Sequence, residues 1–113
     1  MTEIYHNPRC GKSRETLKIL ENKSEQVEIV EYLKYTPSKD RLVAIIEMLG
    51  ISPLELIRKG EKIFKENYKG KNLSDDEWIN VMLENPILIE RPIVIKNGRA
   101  AIGRPPESVL EIL

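Results

Sequence analysis

The sequence has one cysteine, Cys10, and one histidine, His6. A single cysteine closes no disulfide within the chain, so a cytoplasmic location is the expectation. One Cys and one His are too few soft ligands for a tetrahedral metal site, and no bound metal is expected. No sign of charge dominates: Lys+Arg and Asp+Glu number 18 each, for a formal net charge of zero. The basic excess of a general nucleic-acid or membrane-surface binder is therefore missing. No apolar run approaches the about 18 residues of a membrane span. The N-terminus lacks the basic-then-apolar layout of a signal peptide, and no repeat or low-complexity segment occurs.

What is present is an ordinary globular balance, 41% hydrophobic and 32% charged over 113 residues. That length predicts one domain, residues 1–113, with a core that needs no staple. The most informative stretch is His6-Asn7-Pro8-Arg9-Cys10-Gly11-Lys12-Ser13-Arg14. Ile4 and Tyr5 precede it as the end of a short strand. Leu17, Ile19 and Leu20 follow with helical spacing. Asn7-Pro8 is a breaker, so the helix should begin near Cys10 or Gly11. Cys10 would then sit where unpaired N–H groups and the helix dipole favour an anion. A thiolate is such an anion, and Arg9, Lys12 and Arg14 add positive charge that lowers a thiol pKa. A lone cysteine is more commonly a buried structural residue. The polar and charged neighbours on both sides favour the reactive reading.

The remaining pattern gives the fold. Gln26 to Tyr32 reads as a second strand, with Val30 breaking the alternation as in a strand buried on both faces. A strand, a helix and a strand joined by a short crossover imply a parallel pair with a right-handed connection. Ser38 caps a helix whose stripe is Leu42, Ile45, Ile46 and Leu49, ended by Gly50. Ser52-Pro53-Leu54-Glu55 and Ser74-Asp75-Asp76-Glu77 are capping boxes that start further helices. Asn85-Pro86 stops the second. Residues 38 to 89 thus read as a helical insert. Pro92 to Lys96 and Arg99 to Ile102 are strands joined by Asn97-Gly98, a strong hairpin signal. Glu107 to Leu113 reads as a last helix packing through Val109, Leu110 and Leu113. The order β-α-β, helical insert, β-hairpin, α predicts a thioredoxin-like α/β fold with a mixed four-stranded sheet, by analogy of layout.

The residues also carry a family resemblance. Tyr5-His6-Asn7-Pro8 with Cys10-Gly11 and Ser13-Arg14, then Gly50-Ile51-Ser52 with Leu56 to Lys59, Asn85 to Ile89, Arg91-Pro92-Ile93-Val94 and Gly103-Arg104-Pro105 run through nearly the whole chain. In these pieces the sequence resembles the glutaredoxin-coupled arsenate reductases, the ArsC family. Longer members carry a tail beyond the last helix, so the resemblance is to a short form. It implies a thiolate at Cys10 that attacks arsenate and three arginines, Arg58, Arg91 and Arg104, that hold the oxyanion. The motif histidine falls on His6. By analogy with the thioredoxin-like fold, Pro92 is a candidate for a cis proline facing the cysteine.

The chemistry explains why such residues would be needed. Arsenate is an anion, and bringing a thiolate to it requires fixed positive charge, which guanidinium supplies through a planar fork of donors. The N–H groups from Gly11 to Ser13 can add donors, as at other helix N-termini. Lys12 would tune the local field. Three residues beyond Cys10 stands Ser13, which cannot resolve a covalent adduct, so an external thiol must act. The resemblance names glutathione as co-substrate and glutaredoxin as partner, with no bound cofactor and a monomeric chain. Bland alternatives exist. Arg58 could be a solvated charge ending a short helix. His6 could lower the thiol pKa, orient Cys10 or merely end the strand.

Other functions fit less well. A phosphatase-type loop needs an arginine where Thr16 stands. His6 has no partners for a hydrolytic triad. RNA polymerase-binding regulators of the Spx type share the fold but use a Cys-x-x-Cys switch, which Ser13 breaks. A related thiol enzyme acting on another oxyanion is the remaining alternative.

Overall fold

The computed structural model describes residues 1–113. The elements are β1 (Thr2–Tyr5), α1 (Gly11–Asn22), β2 (Val27–Val30), α2 (Lys39–Leu49), α3 (Lys62–Asn67), α4 (Asp75–Glu84), β3 (Ile93–Lys96) and β4 (Arg99–Ile102). Three short 3₁₀ helices, Pro53–Leu56, Pro86–Leu88 and Pro106–Ile112, complete them. The chain forms two compact units: Met1–Tyr35 with Arg91–Leu113, and Thr36–Glu90.

The first unit holds a four-stranded sheet in the order β2-β1-β3-β4. β1 pairs parallel with β2 and antiparallel with β3, and β3 pairs antiparallel with β4, so the fold is the mixed, thioredoxin-like α/β arrangement. Asn97 and Gly98 both take positive φ, 51° and 75°, the backbone of a two-residue hairpin turn that glycine adopts without steric cost. Ile4, Leu20, Val94, Val109 and Ile112 form the core, joining both central strands to α1 and the terminal 3₁₀ helix. α1 buries Ser13, Thr16 and Leu20, residues three and four apart on one face.

Three local expectations are corrected, two of them in this unit. The second strand is shorter than Gln26–Tyr32 and lies at the sheet edge. It has a neighbour on one side only, so Ile29 is 49% exposed and Val27 and Val30 are half-buried, rather than sealed on both faces. The last helix is 3₁₀, with three residues per turn. That period aligns Pro106, Val109 and Ile112 on the buried side and leaves Leu110 exposed.

In the second unit, Ser38 Oγ accepts from the Arg41 N–H at the start of α2. Ser74 and Glu77 close a full capping box on α4. Ser52-Pro53 starts a 3₁₀ helix of four residues rather than an α-helix. Leu42, Ile45, Leu56, Met82 and Leu88 are buried there, and Phe64, Tyr68 and Trp78 pack as tilted and edge-on rings. Ile57 and Ile89 pair in an antiparallel bridge, flanked by Arg58 N–H to Leu88 O and Glu90 N–H to Leu56 O. No helix is long and apolar enough to cross a membrane.

Candidate active site

Sheet register gathers the site. Tyr5 is opposite Val30 and Ile93, and Ile93 is opposite Ile102. The segments just beyond this row therefore share one end of the sheet: His6–Cys10 after β1, Arg91-Pro92 before β3, and Gly103-Arg104 after β4. Backbone bonds extend the ladder there, His6 N–H to Val30 O at 2.9 Å and Gly103 N–H to Pro92 O at 2.9 Å. The Arg91–Pro92 and Arg104–Pro105 peptides are both cis.

Cys10 is the N-cap of α1, with extended backbone, and is partly exposed. Its N–H donates to Asn7 O, which closes the turn through Pro8. Arg104 Nη2 lies 3.5 Å from Cys10 Sγ, and Arg104 Nε donates to Arg91 O at 2.8 Å. The Ser13 and Lys12 amides face the sulfur; they close no cap bond to the thiol but favour the anion. Burial pushes the Cys10 thiol pKa up. The Ser13 amide, the hydrogen bond and charge of Arg91, and the Lys12 amide outweigh it, and the thiol is held below its ordinary value.

His6 is buried, with Nδ1 2.6 Å from Ser13 Oγ. The same oxygen accepts the Asn7 N–H at 3.1 Å. Burial lowers the His6 pKa; Glu31 opposes this and Arg14 adds to it. The ring is thus neutral near pH 7 and brings no positive charge to Cys10. Its contact is with the Ser13 hydroxyl, which ties the end of β1 to the first turn of α1. Gly11 is the first residue of α1, and Lys12 is exposed, its carbonyl accepting from Thr16 Oγ1 at 2.8 Å. Arg14 Nη1 donates to Pro8 O at 2.9 Å and braces the loop.

Arg58 belongs to the second unit. Its guanidinium pairs with Glu90 at 2.9 Å and with Glu61 at 3.3 Å. Cys10, Arg91, Arg104, His6 and Ser13 are brought together within the first unit. No group of three or more His, Cys, Asp and Glu side chains is gathered as a metal ion would require.

Three contributors escaped the sequence reading. Asn7 is buried, and its Oδ1 accepts the Arg9 N–H, so it shapes the turn as well as breaking the strand. Its place before Pro8 was the available signal. Thr16 is fully buried on the α1 face that Ser13 shares. Gly103 lies so close to it that a Cβ would stand 2.5 Å from Thr16 Oγ1 and 2.8 Å from Pro92 Cγ. Only glycine lets the segment carrying Arg104 approach both.

As a whole, the geometry presents a sulfur favoured as thiolate beside two guanidinium groups, an arrangement that suits attack on an oxyanion. The model of the ArsC family matches residues 5–112. A protein of Escherichia coli K12 named "Uncharacterized protein YfgD" is 48% identical over 113 residues, spanning 98% of this chain and 95% of that one. A Haemophilus influenzae protein named arsenate reductase is 47% identical over 112 residues, 97% of each chain. The solved structure of an arsenate reductase from Vibrio cholerae superposes with a TM-score of 0.94 at 47% identity, covering 99% of this chain and 97% of that one. The family match takes in the Cys10 turn, the Arg91-Pro92 strand entry and the Arg104-Pro105 turn alike, and the chain belongs to the ArsC family.

Proposed function

We propose that the protein reduces arsenate to arsenite, using the Cys10 thiolate and an external thiol. The observation that carries this reading is Cys10 Sγ at the N-terminus of α1 with the Arg104 guanidinium 3.5 Å away. Relatives of nearly the same length that are named arsenate reductase support it.

In net terms arsenic acid and two thiols give arsenous acid, a disulfide and water. Cys10 supplies the first thiol. Its sulfur attacks arsenic, a water leaves, and a sulfur–arsenic bond forms with arsenic still pentavalent. Arg91 and Arg104 hold the oxyanion and offset its charge against the thiolate. The N–H groups of Gly11, Lys12 and Ser13 add donors. The second thiol must come from outside, because the chain has no other cysteine. Glutathione fits that part: its sulfur bonds to the Cys10 sulfur, the sulfur–arsenic pair goes to arsenic, and arsenite departs. A second exchange, assigned to glutaredoxin, removes glutathione and restores Cys10. Both electrons come from thiols, so the scheme needs no bound cofactor. A cytoplasmic setting, where such thiols stay reduced, and a monomeric chain suit it. Arg58 enters the reading on the family resemblance alone, as a third oxyanion ligand.

Arsenite release from arsenate, with glutathione and glutaredoxin added, tests the proposal. The protein should sustain turnover and Cys10→Ser should not exceed background. Without added thiol the protein should form the Cys10–arsenic adduct but release no arsenite, because Cys10 supplies only one of the two thiols. Release by Cys10→Ser at the unsubstituted rate contradicts the reading.

A further inference from the structure

The thiol that resolves the Cys10 adduct needs a seat, and the first unit contains an unassigned cleft on the turn that holds Cys10. The cleft, of about 240 Å³, lies between the loop after β1, His6–Arg9, and the loop after β2, Glu31 to Lys34. β1 and β2 are adjacent and parallel, and the crevice outside the carboxyl ends of parallel strands is where ligands collect in open α/β sheets. We propose that this cleft seats the amino-acid head of the thiol reductant, the end that carries both an ammonium and a carboxylate. The inference rests on the thiol-dependent reading above.

The lining supplies both signs of charge. Glu31 Oε1 and Lys34 Nζ stand 3.7 Å apart, with side chains 37% and 70% exposed. Such an exposed pair is weak, so each partner is available to a ligand. Arg9 lines the same cleft and adds a second cation. A simple dianion would meet Glu31, and a simple amine would meet Arg9 and Lys34. An α-amino-acid head satisfies both: its ammonium goes to Glu31 and its carboxylate to Lys34 or Arg9. Leu33, 40% exposed, offers an apolar wall. His6 also lines the cleft but spends Nδ1 on Ser13, which fixes the cleft floor to the first turn of α1. The volume falls below the ~300–1,000 Å³ of sites that enclose a whole ligand. It suits a head group, leaving the sulfur end of the molecule outside the cleft. The γ-glutamyl end of glutathione is a head of this kind.

The test is an amide NMR titration of the full chain with S-methylglutathione, which cannot exchange, in the absence of arsenate. Saturable shifts should map to Arg9, Glu31, Leu33 and Lys34. Glu31→Gln should weaken binding at least fivefold, with the rest of its spectrum unmoved. Acetylating the ligand's amino group should weaken binding to the unsubstituted chain by a similar factor and make little further difference to Glu31→Gln. Shifts that map elsewhere, no shifts at millimolar ligand, or indifference to acetylation each overturn the proposal. Arsenate plays no part in the titration, so failure of arsenate reduction leaves a positive result standing. Equally, glutathione-driven arsenate reduction with no ligand in this cleft sinks the cleft alone.

Discussion

Gly103→Ala tests how the site is held together. The backbone at Gly103 imposes no left-handed conformation, so the effect of the added methyl is steric. It would lie 2.5 Å from Thr16 Oγ1, 3.2 Å from Thr16 Cγ2 and 2.8 Å from Pro92 Cγ. None of these atoms yields easily. Thr16 is fully buried and its hydroxyl donates to Lys12 O, while the Pro92 ring is buried and fixed by its own closure. Overpacking of this kind costs about 1–3 kcal/mol. For a chain between the 60–100 and 150–250 residue classes, that corresponds to a fall in Tm of roughly 4–12 °C. Relief must move the segment that carries Arg104, so the Arg104–Cys10 contact lengthens and the thiol pKa rises. Thermal unfolding followed by circular dichroism gives the first quantity, and alkylation rate against pH gives the second. Thr16→Ala removes two of the three clashes and should recover part of the loss, a coupling of about 1 kcal/mol between the two positions. A Gly103→Ala protein within a degree of the parent, or strictly additive effects in the double variant, refutes the reasoning.

Other outcomes follow from the same contacts. Arg91→Ala should raise the Cys10 pKa, since its hydrogen bond and charge help hold the thiol low; Arg104→Ala, which removes the guanidinium 3.5 Å from the sulfur, should raise it too, and alkylation profiles unmoved by either change contradict the electrostatic account. Ser13→Ala leaves His6 Nδ1 and the Asn7 N–H, both buried, without their oxygen, and should cost about 1–3 kcal/mol in denaturant unfolding. The native His6 pKa lies below its unfolded value of 6.5, so above that value neither state binds the proton and nothing is lost. As pH falls through 6.5 the unfolded chain protonates first and stability declines, and His6→Gln should flatten that decline; an identical pH profile in the variant counts against a buried neutral ring.

The sequence was most readable where local chemistry decides. Asn97-Gly98 turned as its residues require, Ser38 and Ser74 capped their helices, and Asn7-Pro8 before an apolar periodic run placed Cys10 at a helix start. It was least readable where position in the sheet decides. Val27 and Ile29 look the same in a central strand and an edge strand, and only the pairing of β1 with β3 leaves β2 outside. The final helix misled because a 3₁₀ period puts Ile112, not Leu110, against the core. In the site, Ser13 was visible as the residue three beyond Cys10, yet its link to His6 depends on the strand end folding over the helix start. Glu61, three residues from Arg58, was a foreseeable partner. Glu90, thirty-two residues away, was not. The approach of Gly103 to Thr16 joins segments that sequence leaves far apart.

The central claim is that the Cys10 sulfur passes through bonds to arsenic and then to the resolving thiol. Intact-mass analysis of a single turnover, with arsenate and glutathione but no glutaredoxin, tests it most directly. Arsenite should appear in step with one glutathione bound through a reducible bond at Cys10, and omitting arsenate should abolish that adduct. Arsenite formed by protein whose Cys10 has been blocked by alkylation contradicts the account.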